Sequence, residues 1–221
     1  MTAAQPANAM AAPSRPAVRP IAATLSPEAR SKLSAYLDLL GKWNRVYNLT
    51  AIRERDQMEA LHVEDALAVL PFLPDKPGLR LLDVGSGGGI PGIPIAIARP
   101  SWDVVLVEAN GKKAAFLQQA VIELRLPNVA SRAVRIEAFR DADRFDVVIA
   151  RAFSDLRTFV RVARQHVAPA GLIVAMKGAL PGDEIAALPP DVAVVATPAL
   201  DVAGVDAARH LVIMQTKGGR A

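Results

Sequence analysis

Leu81-Leu82-Asp83-Val84 runs directly into Gly85-Ser86-Gly87-Gly88-Gly89-Ile90-Pro91-Gly92, and a new apolar stretch follows at once. This is the feature that most constrains the fold. A short apolar run bounded by turn residues reads as a buried strand. Glycines let the chain turn sharply and bring its backbone close to a ligand. The residues after Gly92 read as a helix. Strand, tight turn and helix in that order belong to an open α/β sheet, where ligands sit at the carboxyl ends of the strands.

The rest of the chain repeats the theme. Strands are predicted at Arg80–Val84, Val104–Glu108, Asn128–Ile136, Phe145–Ala150, Gly171–Lys177, Val192–Thr197 and His210–Thr216. Helices are predicted at Gly92–Ala98, Lys112–Leu126, Asp155–Val167 and Gly182–Leu188. Such alternation predicts a mostly parallel seven-stranded sheet with helices on both faces, a Rossmann-like α/β fold. The last two strands have only a loop between them, so an antiparallel hairpin should close the sheet. With 52% hydrophobic residues the chain can fill a sizeable core.

Three regions are expected. Residues 1–24 are rich in Ala and Pro and should form a disordered tail. Pro13, Pro16 and Pro20 interrupt it, unlike a secretory signal. Residues 25–77 should form a helical extension. Ser26-Pro27-Glu28 starts its first helix, which carries Leu33, Leu37, Leu40 and Val46. A second helix is expected from Glu54 to Leu70, ended by Pro71, Pro74 and Pro77. Residues 78–221 should hold the ligand-binding domain. No apolar run is long enough to cross a membrane, and a cytoplasmic location is expected.

The residue types limit the chemistry. The absence of Cys excludes disulfides, Cys-ligated zinc, iron–sulfur clusters and thiolate catalysis. A formal charge of +4 fits a nucleic-acid enzyme and many ordinary proteins alike. Gly87–Gly92 spells G-x-G-x-x-G, the dinucleotide fingerprint. Asp83 ahead of the glycines makes D-x-G-x-G-x-G instead, a pattern that suits the sulfonium amino acid of S-adenosylmethionine. Glu108 closes the neighbouring strand, where an acid can accept from both hydroxyls of an adenosyl ribose. Arg135-Ile136-Glu137 is expected to end the third strand, with Glu137 within reach of an adenine amine. Arg151 follows the fourth strand, where target-base residues usually sit. There is no N-P-P-Y-like motif there, which argues against methylation of exocyclic amines. His62 and Asp65 can share a helical face. With three His residues and no partner ligands, a local hydrogen bond is expected there rather than a metal.

The order of several blocks resembles one family. They are Asn48-Leu49-Thr50-Ala51-Ile52, His62 with Asp65, the loop Leu82–Pro94, Lys112-Lys113 with Phe116-Leu117, Arg135-Ile136-Glu137, Ala150-Arg151-Ala152, Lys177-Gly178 and Arg209-His210-Leu211. From about Trp43 to Thr216 the chain is similar to the glucose-inhibited division protein B family, also called RsmG. These are bacterial 16S ribosomal RNA guanine-N7 methyltransferases of the class I fold. The resemblance implies S-adenosylmethionine as cofactor and the guanine conventionally numbered 527 as target. The substrate would be 16S RNA, alone or within the small ribosomal subunit or its precursor. It implies cofactor contacts at Gly85, Ile90, Ile136, Glu137 and Arg151, to which the glycine turn and the strand end add Asp83, Ser86, Gly87 and Glu108. It implies RNA-facing positions at Lys112, Arg135, Lys177 and Arg209, with Lys113 expected to join Lys112. Arg151 is expected to position the reactants, and no metal is expected. Two positions depart from the family: Ala66, where Ser is frequent, and Glu108, where Asp is. A small-molecule methyltransferase, an NAD-binding oxidoreductase and a non-catalytic RNA-binding module are the competing readings.

Overall fold

The computed structural model describes residues 18–217. Helix α1 (Pro27–Tyr47) starts where Ser26 accepts from the Ala29 amide through its side chain. It ends at Asn48 in the left-handed conformation. A helical stretch follows, as α2 (Arg55–Met58) and α3 (Asp65–Leu67). Between them, Glu59–Glu64 forms a π-helical turn.

The sheet then builds from β1 (Arg80–Val84), β2 (Asp103–Glu108), β3 (Val129–Ala133), β4 (Phe145–Arg151), β5 (Val167–Lys177), β6 (Val192–Ala196) and β7 (His210–Thr216). Helices α4 (Gly92–Ala98), α5 (Gly111–Glu123), α6 (Leu156–Ala163) and α7 (Gly182–Ala186) connect them. The strand order is β3-β2-β1-β4-β5-β7-β6. The first five strands pair in parallel, and β7 runs antiparallel to both β5 and β6. The expected antiparallel pair therefore forms, but β7 inserts beside β5 and leaves β6 at the edge.

The pleat assigns every strand residue to a face. Leu81, Leu106, Val147, Ile149, Val174, Met176 and Leu211 join one core with α1, α4 and α5. Leu82, Val84, Val105, Val148, Ala150, Ile173, Ala175 and Val212 join the other, with α6. The N-terminal helices are thus part of the first core rather than an appendage.

Three sequence expectations need correction. β3 stops at Ala133, so Arg135, Ile136 and Glu137 lie in the turn beyond it. There the Ala138 and Phe139 amides fold back onto the Arg135 carbonyl. The single helix expected from Glu54 to Leu70 is broken by the π-turn and a shift to a 3-10 turn at Leu70–Phe72. Order also begins earlier than Ser26. Ala22–Thr24 forms a 3-10 turn, and the Ile21 and Ala22 amides both donate to the buried Glu64 carboxylate, at 2.6 and 3.0 Å. A buried acid supplied from 42 residues away offsets the ordering entropy that composition alone predicted would win. Residues 1–17 of the expected tail lie outside the described residues.

Candidate active site

The glycine turn is held from below. The Gly85 and Ser86 amides both donate to the Val107 carbonyl at the end of β2. Gly85 has φ +70°, and a side chain built on it would meet no protein atom within 4 Å. Its backbone therefore faces open space at the carboxyl end of β1. Gly92 is the opposite case. A Cβ there would lie 2.3 Å from Leu106 Cδ2 and 2.8 Å from Asp83 Oδ2, so only Gly allows α4 to close on the sheet.

Asp83 shares the pleat face of Leu81 and points beneath α4. Its Oδ2 accepts from the Gly92 amide at 3.0 Å, and Oδ1 has no hydrogen bond. Burial pushes this carboxyl up to about 7, against the Gly92 amide and Arg151, which pull it down. Asp83 thus sets the angle between strand, turn and helix. Glu108 ties the turn to the next loop. Its two oxygens accept from the Gly87 amide at 2.8 Å and the Asn110 amide at 2.7 Å. Each carboxylate oxygen has further acceptor capacity, so Glu108 fits a ligand that presents two hydroxyls over Gly85. Asn110 in turn caps α5, accepting from the Lys112 and Lys113 amides.

A second contact comes from a residue that sequence patterning had placed among none of the site groups. Tyr36 of α1 is fully buried and donates its hydroxyl to the Gly88 carbonyl at 2.5 Å. Burial raises its phenol well above the usual range. The N-terminal helix therefore grips the glycine loop directly. At helical spacing Tyr36 reads as one more core residue, and nothing local reveals its partner 52 positions away.

Beyond the loop, at the ends of β4 and β5, lies a cavity of about 310 Å³ lined by Asp65, Arg151, Ala152, Met176, Lys177, Gly178, Leu200, Arg209 and His210. Arg151 stands on the same pleat face as Ile149 and so turns toward the N-terminal helices. Its Nη1 donates to the Leu61 carbonyl at 2.8 Å and lies 3.6 Å from Asp65 Oδ2. The π-turn presents that carbonyl. Arg209 approaches Asp65 from the other side, with Nε 3.3 Å from Oδ1. Burial pushes the Asp65 carboxyl up, while Arg151 and Arg209 draw it down. His62 is buried beside them and bonds to Thr50 Oγ1 at 3.1 Å. Burial first, and Arg151 second, lower it to about 4. Thr50 is fixed by Asn44, whose side chain also holds the Ile52 carbonyl. His62 therefore anchors the Asn48–Ile52 segment through Thr50 rather than through Asp65, its neighbour in the motif.

The remaining predicted positions separate. Lys177 lies on the face opposite Met176, and its ammonium is held by both oxygens of Glu184 at 3.1 and 2.8 Å. Glu184 also accepts from the Leu156 amide. Arg135 and Glu137 are exposed, whereas Ile136 is buried in the second core. Lys112 is exposed and its ammonium sits 5.8 Å over the ring of Tyr47. Lys113 follows it at the start of α5. Ile90 is buried in the first core. Among the described residues no three His, Cys, Asp or Glu side chains gather as a metal site. No helix of the described residues is long and apolar enough to cross a membrane.

Known proteins show the same architecture. The ribosomal protein L11 methylase of Lactobacillus delbrueckii subsp. bulgaricus superposes with a TM-score of 0.54 at 16% identity, over 69% of this chain and 77% of that one. A protein of Laribacter hongkongensis named ribosomal RNA small subunit methyltransferase G is 54% identical over 177 residues, 80% of this chain and 84% of its own. Its namesake in Nitrosospira multiformis is 50% identical over 86% of this chain and 89% of its own. The family model described as rRNA small subunit methyltransferase G, GidB, matches residues 29–212. The chain is a member of that family of methyltransferases.

Proposed function

We propose that this enzyme transfers a methyl group from S-adenosylmethionine to N7 of a guanine in 16S ribosomal RNA. Gly85, Gly87 and Glu108 form the cradle for the cofactor, and Asp83 and Tyr36 fix the cradle's shape. Ile136 and Glu137, in the turn after β3, would border the adenine. When bound, the cofactor supplies a methyl group already activated as a sulfonium.

The observation that carries the reading is the cation-lined cavity beside that cradle, with Arg151 at the wall they share. Guanine N7 has an in-plane lone pair and no proton. The chain therefore has no proton to remove and needs no general base. The groups at the cavity fit this. Arg151 and Arg209 are permanent cations, and His62 is held neutral by burial and committed to Thr50. Their work is orientation, an effect worth several kcal/mol when reacting atoms are aligned, about 7–11 in the best intramolecular cases. The exposed cations Lys112 and Arg135 suit the phosphates of an RNA better than a small-molecule acceptor. We place the enzyme in the cytoplasm, with 16S RNA alone or in the small subunit as substrate.

The test is single-turnover methylation of naked 16S RNA and of small subunits lacking the modification, with the product mapped by nucleoside digestion. 7-Methylguanosine at one site is expected. Methylation of another atom, or none on either substrate, would remove the reading.

A further inference from the structure

The end of α1 carries apolar surface that the fold leaves uncovered. Val46 is 69% exposed and Tyr47 42%. Tyr47 is the outer member of an aromatic row. Its ring centroid lies 5.3 Å from that of the half-buried Trp43, and Trp43 meets the buried Phe116 of α5 edge-on at 5.7 Å. Core packing accounts for Trp43 and Phe116 but not for a ring that stands at the surface. The charge around this row has one sign. No Asp or Glu occurs from Leu39 to Arg53, nor from Ala109 to Ile122. Lys42, Arg45, Arg53 and Lys112 are all exposed. Arg53 donates to Asn48 Oδ1 at 3.0 Å, and the Lys112 ammonium sits 5.8 Å over the Tyr47 ring. Both partners are neutral, which leaves both charges for an anion.

We infer that Tyr47 is a stacking platform for an unpaired base of the RNA beside the target guanine, with Arg45 and Arg53 taking phosphates of the same strand. The inference rests on the proposed RNA substrate and names the form in which that substrate is held. An exposed ring offers its face to any base, and cations around it follow the backbone; together they suit a single strand. A duplex keeps its base faces covered, so the ring has no use for one. The Lys112 ammonium is near the ~6 Å limit of a cation–π contact, so a base can take the ring while the flexible lysine moves to a phosphate. The row also joins the two halves of the site. The Asn110 side chain that caps α5 below Lys112 belongs to the residue whose amide donates to Glu108 of the cradle. Three residues beyond Tyr47, Thr50 bonds to His62, and the Leu61 carbonyl next to His62 holds Arg151. A strand with its guanine at Arg151 can therefore reach the ring with a neighbouring base.

The experiment measures affinity for naked 16S RNA and for small subunits lacking the modification, at several salt concentrations. Tyr47→Ala should weaken binding to naked RNA by about 5- to 150-fold, the effect of one base–aromatic stack. Its salt slope should stay that of wild type, because stacking releases no counterion. Tyr47→Phe should bind like wild type. Tyr47→Leu should bind nearly as poorly as Tyr47→Ala, since it keeps apolar bulk without a π-face. Arg45→Gln should instead lower the slope by about 0.7, the share of one single-strand phosphate. S-adenosylhomocysteine affinity should be kept in every variant. Unchanged RNA affinity in Tyr47→Ala overturns the inference, and so does a Tyr47→Leu variant that binds as well as Tyr47→Phe. A loss confined to small subunits would assign this face to a ribosomal protein and overturns it too. If Tyr47→Ala does not fold, the comparison of Tyr47→Leu with Tyr47→Phe decides. Wild-type enzyme that methylates no guanine of 16S RNA would defeat the underlying function reading, a failure distinct from methylation that ignores Tyr47.

Discussion

The glycine cradle and the cation-lined cavity sit at adjacent strand ends, but they are built from different material. The cradle is made of backbone: the amides of Gly85, Ser86 and Gly87 and the carbonyl of Val107, with Glu108 and Asp83 supplying one carboxylate each. Its parts lie within 26 residues of sequence, from Asp83 to Glu108. The cavity is lined from five separate segments, and Arg151 on its wall bonds to the Leu61 carbonyl across 90 residues. A site built from backbone is sensitive to any side chain added to it. A site built from side chains is sensitive to what each one carries.

That contrast orders the expected effects. The largest belongs to the cradle. Gly85→Val places a β-branched residue at φ +70°, where it is strained, and its side chain enters space the protein leaves open. S-adenosylhomocysteine affinity should fall by more than a hundredfold while circular dichroism stays near wild type. Normal affinity would show that the open face above Gly85 is not where the cofactor rests. Next is Arg151→Ala, expected to slow single-turnover methyl transfer about a hundredfold at saturating cofactor. Nη1 serves both Leu61 O and Asp65, and Arg151→Lys should recover little, because a flexible ammonium lacks the fixed planar geometry that holds the rest of the guanidinium toward the reactants. Full activity in either variant would take orientation away from Arg151.

This difference in material also decides what the sequence made legible. The cradle declares itself locally, because glycine spacing and a strand-end acid are short-range patterns. So were the parallel sheet and the strand positions of β1, β2, β4 and β7. The π-turn was not, since Glu59–Glu64 carries ordinary helical residues and its widened turn answers to tertiary contacts. Tyr36 and Glu64 were equally hidden, because one reads as core and the other as a solvated acid until Gly88 and Ile21 arrive. Lys177 shows the limit of position alone. Carried over with Lys112, Lys113, Arg135 and Arg209 as one RNA-facing set, it borders the cavity, yet its ammonium is held by Glu184.

The buried ionisable groups of the two regions should titrate in opposite senses. His62 is lowered to about 4 from 6.5, so between those values the unfolded chain holds a proton that the folded chain refuses. Its contribution is complete above pH 6.5 and is lost as pH falls, by up to ~1.4 kcal/mol per unit. Asp83 is raised to about 7 from 3.8, so the folded chain holds the extra proton and stability falls as pH rises through that window. Comparing urea midpoints of wild type and His62→Gln from pH 4 to 7 isolates the first. The wild-type advantage should grow with pH up to about 6.5 and then level. A constant difference would mean that His62 titrates normally in the fold.

Tyr36 joins the N-terminal helix to the cradle, and its removal should be smaller but specific. Tyr36→Phe keeps the ring against Phe116 and leaves the Gly88 carbonyl buried without its donor. That should destabilise the fold by about 1–3 kcal/mol. S-adenosylhomocysteine affinity should fall with it, since the same hydrogen bond shapes the loop. A stability loss with unchanged affinity would separate the two regions that this bond ties together.

The smallest effects belong to the lysines, and they test whether charge near a site is enough to make it part of the RNA surface. Lys112 lies at the start of α5, exposed, with its ammonium over Tyr47 and no ion pair among the described residues. Lys177 has a side-chain exposure of 13% and a carboxylate of its own. A phosphate that meets Lys112 releases a counterion and adds to the salt slope; one that meets Lys177 must first displace Glu184. Lys112→Gln should therefore lower the slope of log affinity for 16S RNA against log salt by about 0.7–0.9. Lys177→Gln should leave that slope near wild type and act instead on stability, because Glu184 would keep its bond to the Leu156 amide but lose its cation. Titrations at several salt concentrations read both values. Equal slope changes in the two variants would show that Glu184 yields to RNA, and the two faces of the sheet would then share one binding surface.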